Sequence, residues 1–94
     1  MAQTRKVGKT ATVIGHDGDM RYTQYHATRV VEWTPSEINL NTGGWFTQTT
    51  RNRMNQTANE FSLGFYVYQK AGEWFAVYND QTIAFNGNTL TLPR

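Results

Sequence analysis

The chain has 94 residues, a formal net charge of +2 and no cysteine. This length leaves room for one hydrophobic core. Residues 1–6 are polar and basic and show no periodicity, so we expect a flexible lead-in there and a single domain over residues 7–94. The lack of cysteine excludes disulfides, thiolate metal sites and a cysteine nucleophile. Because no apolar run approaches the ~20 residues that span a bilayer, we expect no membrane association. The absence of cysteine favours a cytoplasmic location.

The positive charge is concentrated at the start of the chain. Three of the nine Lys and Arg residues, Arg5, Lys6 and Lys9, lie in residues 1–9, which contain no acidic residue. The rest of the chain therefore carries six basic and seven acidic side chains. Since binding to a nucleic-acid duplex needs a basic face, nucleic-acid contact is expected only through the N-terminal tail and exposed rings.

Short β-branched and apolar runs separated by turn signals predict seven or eight strands. In chain order we expect strands at residues 9–14, 20–25, 28–34, 38–42, 65–69, 73–78, 81–85 and 89–92. The Asp-Gly and Asn-Gly pairs between several of these runs are typical of hairpin turns. The first strand is expected to end where the turn-forming sequence of residues 15–19 begins.

One helix is predicted over residues 50–60. Met54, Thr57, Ala58 and Phe61 recur at positions i, i+3, i+4 and i+7, which is the apolar stripe of a short amphipathic helix. Together these elements predict an α+β fold, with a small curved antiparallel sheet or partly open barrel that carries one short helix.

Two arginines lie in the first turn of the predicted helix, where the helix dipole disfavours each cation by ~0.3–1 kcal/mol. Arg51 and Arg53 are accompanied by the hydroxyls of Thr49 and Thr50 and by the free N–H groups of a helix start, which together suit a phosphate or carboxylate. We predict that the arginines bind the anion and that the threonines add hydroxyl and capping contacts. The alternative is that the arginines point to solvent or pair with acids such as Glu32 or Glu37.

Amide and aromatic side chains flank this segment. Asn55 is able to read the polar edge of a base or ribose and Trp45 is able to stack on a ring, so the predicted ligand is nucleotide-like. A small chain also needs its large rings in the core, where we expect Trp45, Trp74 and Phe75. Half-exposed positions suit the phenol rings of Tyr66, Tyr68 and Tyr78.

Signals for metal binding and catalysis are weak. The sequence His16-Asp17-Gly18-Asp19 offers an imidazole and two carboxylates, but it lacks the further ligands of a calcium loop, so a hairpin turn is the favoured interpretation. Ser36 and Ser62 lie in no nucleophile-elbow pattern, and the chain contains no P-loop. We predict no metal, no cofactor, no catalytic residues and no enzymatic activity.

Five motifs, taken in order, resemble short accessory proteins of tailed bacteriophages. They are Tyr25-His26-Ala27-Thr28, Leu40-Asn41-Thr42-Gly43-Gly44-Trp45, Thr49-Thr50-Arg51-Asn52-Arg53-Met54-Asn55-Gln56, Val67-Tyr68-Gln69-Lys70 and Glu73-Trp74-Phe75. The resemblance covers roughly residues 22–86, and Arg29 departs from it because an acidic or neutral residue is expected at that position. It implies a viral accessory protein in the cytoplasm of a bacterial host and supplies no catalytic residues.

Small phage proteins often counter host immunity, and one way is to sequester cyclic or ADP-ribose-type nucleotide signals. The resemblance makes this an expectation for the present chain. We therefore predict a non-enzymatic protein that binds an anionic, nucleotide-like small molecule. Two alternatives stay open: a module that binds single-stranded nucleic acid, and an interaction protein that inhibits a host enzyme or joins the virion. Homo-oligomers are also expected, because short aromatic strands leave edges that need cover.

Overall fold

The computed structural model of the protein describes residues 12–44, 46–85 and 89–94, and the predicted lead-in at residues 1–6 lies outside these ranges. The described chain forms eight strands and one helix. In order they are β1 (Thr12–Asp17), β2 (Met20–Tyr25), β3 (Thr28–Trp33), β4 (Glu37–Asn41), α1 (Gln48–Phe61), β5 (Phe65–Lys70), β6 (Glu73–Tyr78), β7 (Gln81–Ala84) and β8 (Thr89–Pro93). The predicted α+β fold is confirmed.

The strands form two antiparallel sheets rather than a closed barrel. The large sheet has the order β1-β2-β3-β4-β8 and the small sheet has the order β5-β6-β7. The helix α1 connects the two sheets in the chain and contacts β2, β3 and β5, so it packs against both of them. Within the described ranges, no helix has the length and apolarity that a membrane crossing requires.

The hydrophobic core lies between α1 and the inner faces of the two sheets. Trp33, Ile38, Leu40, Met54, Val67, Trp74, Phe85 and Leu92 are among its buried members. Trp74 is 2% exposed, which confirms its predicted core position. The next residue, Phe75, faces the other side of β6 and is only half-buried, so the prediction of a core position for Phe75 is wrong. Side chains alternate along a strand, and only one face of β6 meets the core.

The first hairpin shows that the predicted end of the first strand is wrong. We expected the first strand to end before Gly15, but β1 continues through Asp17 and the turn is confined to Gly18 and Asp19. Gly15 pairs across the sheet with Tyr22, and a Cβ atom on Gly15 would lie 2.6 Å from the Tyr22 hydroxyl oxygen. Glycine at this position therefore makes room for a ring within the sheet and does not mark a turn.

Local sequence explains both ends of α1. Thr47 is the N-cap: its backbone is extended, and its hydroxyl accepts a hydrogen bond of 3.2 Å from the Thr50 N–H. At the other end Ser62 adopts the left-handed conformation (φ 55°, ψ 44°), and its N–H donates to the carbonyl oxygen of Ala58. The helix is thus slightly longer than the predicted residues 50–60.

Candidate functional site

The two arginines of the predicted anion site form hydrogen bonds with residues of different sheets. Arg51 donates to the side-chain oxygen of Gln69 at the end of β5 (2.7 Å) and lies over the ring of Trp74. Arg53 donates to the hydroxyl of Thr12 on β1 (2.9 Å). Side chains at positions i and i+2 of a helix lie on opposite sides of it, so the guanidinium groups do not converge.

The two threonines of the predicted site occupy different environments. Thr50 is fully buried, and its hydroxyl lies 3.1 Å from the hydroxyl of Thr47, so it belongs to the N-terminal cap of the helix. Thr49 is half-buried. Trp45, the ring predicted to stack on the ligand, lies outside the described residues. A ligand-binding role for this group of residues therefore stays a prediction.

Asn55 joins α1 to the edge of the small sheet. Its amide nitrogen donates to the carbonyl oxygen of Val67 (2.9 Å), and its side-chain oxygen accepts from the N–H of Val67 (2.7 Å). Asn55 is 7% exposed and β5 is an edge strand, so this side chain pairs with β5 as a neighbouring strand would. Both ends of its carboxamide are used within the fold.

A cavity opens at the other end of the core, beside the C-terminal end of α1. Its volume is about 830 Å³, within the ~300–1,000 Å³ typical of ligand pockets, and it is open to solvent. We call it the terminal cleft and define it by six of its lining residues: Ile14, His16, Arg21, Trp33, Phe61 and Arg94. These residues come from the β1–β2 hairpin, the end of β3, the end of α1 and the position that follows β8.

One part of the terminal cleft is an aromatic wall. The ring centroids of Trp33 and Phe61 lie 4.9 Å apart with an interplanar angle of 40°. Trp33 is 6% exposed and therefore held by the core, while Phe61 is half-buried at the last position of α1. Ile14, which is 45% exposed, extends this apolar surface onto β1. A surface of this kind suits a planar, partly apolar ring.

Cationic side chains also line the terminal cleft. Arg21 pairs across the large sheet with His16 on one side and with Trp33 on the other, so it lies on the helix-facing side of the sheet, yet it is exposed. Arg94 is held at the rim by a hydrogen bond from its guanidinium group to the carbonyl oxygen of Thr34 (2.9 Å). The side chains of the lining include two arginines, Arg21 and Arg94, and one carboxylate, that of Asp19, so cationic side chains outnumber acidic ones in the cleft.

The His16-Asp17-Gly18-Asp19 sequence forms the predicted hairpin turn between β1 and β2. The carboxylate of Asp17 lies 4.0 Å from the guanidinium group of Arg29, which also pairs with Glu32 at 3.4 Å. In the part of the chain that the structure describes, no three His, Cys, Asp or Glu side chains group closely enough to hold a metal ion. His16 and Asp19 instead contribute to the lining of the terminal cleft.

Sequence reasoning missed the terminal cleft because its residues are far apart in the chain. One local signal was present in the predicted strand over residues 20–25: Arg21 lies two positions before Thr23 and therefore on the same face, and the structure shows that Thr23 is buried on the helix-facing side. Charged or titratable residues at helix-facing positions indicate that the sheet extends past its covered core. That signal could have directed attention to the β1–β2 hairpin.

Comparison with known proteins identifies the family to which the chain belongs. No curated protein and no solved structure matches the chain. A model of the Kyanoviridae Gp96 protein family, a family of phage proteins, matches residues 1–91. This match confirms the resemblance to phage proteins, and the chain belongs to the Kyanoviridae Gp96 protein family.

Proposed function

We propose that this phage protein binds a small anionic ligand with a planar ring, of the nucleotide type, in the terminal cleft. The observation that supports the proposal is the position of Arg21, an exposed guanidinium group placed next to the aromatic wall formed by Trp33 and Phe61. A nucleotide-like ligand carries both an aromatic ring and an anionic group. The cleft offers one surface for each.

The physical roles divide between the residues of the cleft. The ring of the ligand would pack on Phe61 and Ile14, where contact with half-exposed apolar surface releases water. Its phosphate would accept hydrogen bonds from Arg21, whose planar fork matches phosphate oxygens, and would lie near the second guanidinium group at Arg94. Charge-assisted hydrogen bonds of this kind contribute about 1.5–3 kcal/mol each.

The proposal keeps the ligand class predicted from the sequence and gives it a different site. At the helix N-terminus, Arg51 and Arg53 already donate to protein groups on two different sheets. Because those hydrogen bonds lead to different sheets, a ligand there would meet one guanidinium group at a time. The terminal cleft offers a cavity of ligand size instead.

Phage membership supports the biological part of the proposal. A small phage protein that binds such a ligand without converting it would act by sequestration, which lowers the free concentration of a host signalling nucleotide in the host cytoplasm. Affinity and protein abundance would then set the effect, and no catalytic group would be needed. Recovery of unchanged ligand after prolonged incubation with the protein would show that the protein binds the ligand without converting it.

A thermal-shift and calorimetric screen tests the proposal. The purified protein is measured against adenosine, mononucleotides, cyclic mono- and dinucleotides, ADP-ribose and inorganic phosphate. Binding to the native state raises the stability by RT ln(1 + [L]/Kd), about 2.7 kcal/mol when the ligand exceeds Kd a hundredfold. We expect nucleotides to bind better than either adenosine or phosphate alone, because the ring and the anion each contribute.

Matched arginine variants then locate the site. Arg21→Gln should weaken binding roughly tenfold or more, because it removes a charged donor to phosphate. Arg51→Gln and Arg53→Gln remove the same charge at the helix N-terminus and should leave the affinity within about twofold. The reverse pattern would place the ligand at the helix N-terminus, and the absence of binding by every compound would contradict the proposal.

A further inference from the structure

The outer face of the small sheet carries a second feature that ligand binding in the cleft does not use. On this face, which points away from α1, three rings lie in a row: Tyr66, Tyr68 and Phe75. The ring centroids of Tyr66 and Tyr68 are 6.2 Å apart and those of Tyr68 and Phe75 are 5.3 Å apart, with interplanar angles of 23° and 25°. Tyr66 is 55% exposed and Tyr68 and Phe75 are half-buried, so the three rings form one contiguous aromatic patch on the surface.

The residues of this face are paired across β5 and β6 in a pattern that complements itself. Lys70 is opposite Glu73, Tyr68 is opposite Phe75, and Tyr66 is opposite Val77. Each charged residue thus lies opposite its counter-charge, and each tyrosine lies opposite an apolar residue. We define the outer face by these six residues.

A twofold axis that runs parallel to the strands, between β5 and β6, would bring these complementary residues of two copies into contact. Rotation about that axis lays β5 of one copy over β6 of another. Lys70 then meets Glu73 of the second copy, and Tyr68 meets Phe75 of the second copy, twice in each pair of molecules. Sheets packed face to face keep their strands within about 30° of one another, which this arrangement allows.

We propose that the outer face of the small sheet binds the same face of a second copy of this chain, about a twofold axis parallel to β5 and β6. The dimer is held by ring contacts in the middle and by two symmetric Lys70–Glu73 ion pairs at the hairpin end. A three-stranded face is small compared with the roughly 800 Å² per partner of a stable interface, so we expect a dissociation constant of about 10–100 µM.

The charges of this face favour a second copy over single-stranded nucleic acid. Rings on an open sheet are able to stack on bases, but affinity for a nucleic-acid strand comes largely from cations that neutralise phosphates. Here Lys70 is opposed directly by Glu73, and the other four residues of the face are uncharged. The outer face is therefore close to electrically neutral.

Charge reversal tests the proposed axis. Lys70→Glu places glutamates against Glu73 of the second copy, and Glu73→Lys places lysines against Lys70 of the second copy. Sedimentation velocity of each variant alone, from about 5 to 500 µM, should show self-association weakened roughly tenfold. An equimolar mixture should associate as well as the native protein, because both intermolecular contacts again join opposite charges.

The mixture separates the dimer from effects within one chain, because mixing does not change any intramolecular contact. Thr89→Glu, a charge introduced on the exposed surface of β8, serves as the control and should associate like the native protein. A native protein that stays monomeric to 500 µM would overturn the proposal, as would a mixture no better associated than its components. Binding of an oligonucleotide of about 20 thymidines that Tyr66→Ala abolishes, without a dimer, would assign the face to nucleic acid instead.

Discussion

Asn55 allows a direct test of how α1 is attached to the small sheet. Its carboxamide pairs with both the N–H and the carbonyl oxygen of Val67, and both residues are buried. Asn55→Ala leaves these two backbone groups without their partners, at about 1–2 kcal/mol each. The expected loss is about 2–4 kcal/mol, a large part of the roughly 5–14 kcal/mol that holds a domain of this length together.

Urea unfolding followed by circular dichroism measures this loss. The midpoint should fall by about 2 M if the urea dependence is near 1.5 kcal/mol/M, a usual value for a small domain. Asn59→Ala is the control because Asn59 is exposed on the same helix, and it should change the free energy of unfolding by less than about 0.5 kcal/mol. A loss below 1 kcal/mol for Asn55→Ala would refute the reasoning, and lost ligand affinity at unchanged stability would support the predicted role of Asn55 in ligand binding.

Two further predictions concern backbone conformation. Ala71 is the first residue of the β5–β6 turn and has a positive φ of 53°, so Ala71→Asn should raise the free energy of unfolding by about 0.5–1 kcal/mol; an unchanged or lower melting temperature would contradict this. Gly43 and Gly44 both have positive φ, but only at Gly43 would a Cβ atom meet a neighbour, the side chain of Thr28. Gly44→Ala should therefore cost about 1–2 kcal/mol and Gly43→Ala about 2–4 kcal/mol in thermal unfolding, and equal losses would disprove the contact.

Much of the fold was predictable because its signals are local. The β6 strand begins and ends where its period-2 pattern predicts, and the helix follows the stripe that contains Met54 and Ala58. The turn that ends β1 was misplaced because Gly15 serves a contact with Tyr22, which lies on the next strand. A glycine that makes room for a distant ring has the same sequence signal as a glycine that makes a turn.

The site was less predictable for a related reason. The sequence predicted a helix that begins at residue 50, close to the observed start of α1 at Gln48, but it could not show which neighbours the side chains would reach. Asn55 was predicted to contact a ligand because an amide is able to read the polar edge of a base, and its pairing with Val67 is a tertiary contact that the sequence does not show. The terminal cleft depends on four separate parts of the chain that only the fold brings together.

The central claim is that an anionic, ring-containing ligand binds in the terminal cleft. Titration of isotope-labelled protein with the best nucleotide of the screen, followed by two-dimensional amide NMR, tests it most directly. We predict the largest shift changes at residues 14–21, at Trp33 and Thr34, and around Phe61. Changes confined to Thr47–Arg53, or no saturable change with any nucleotide, would contradict it.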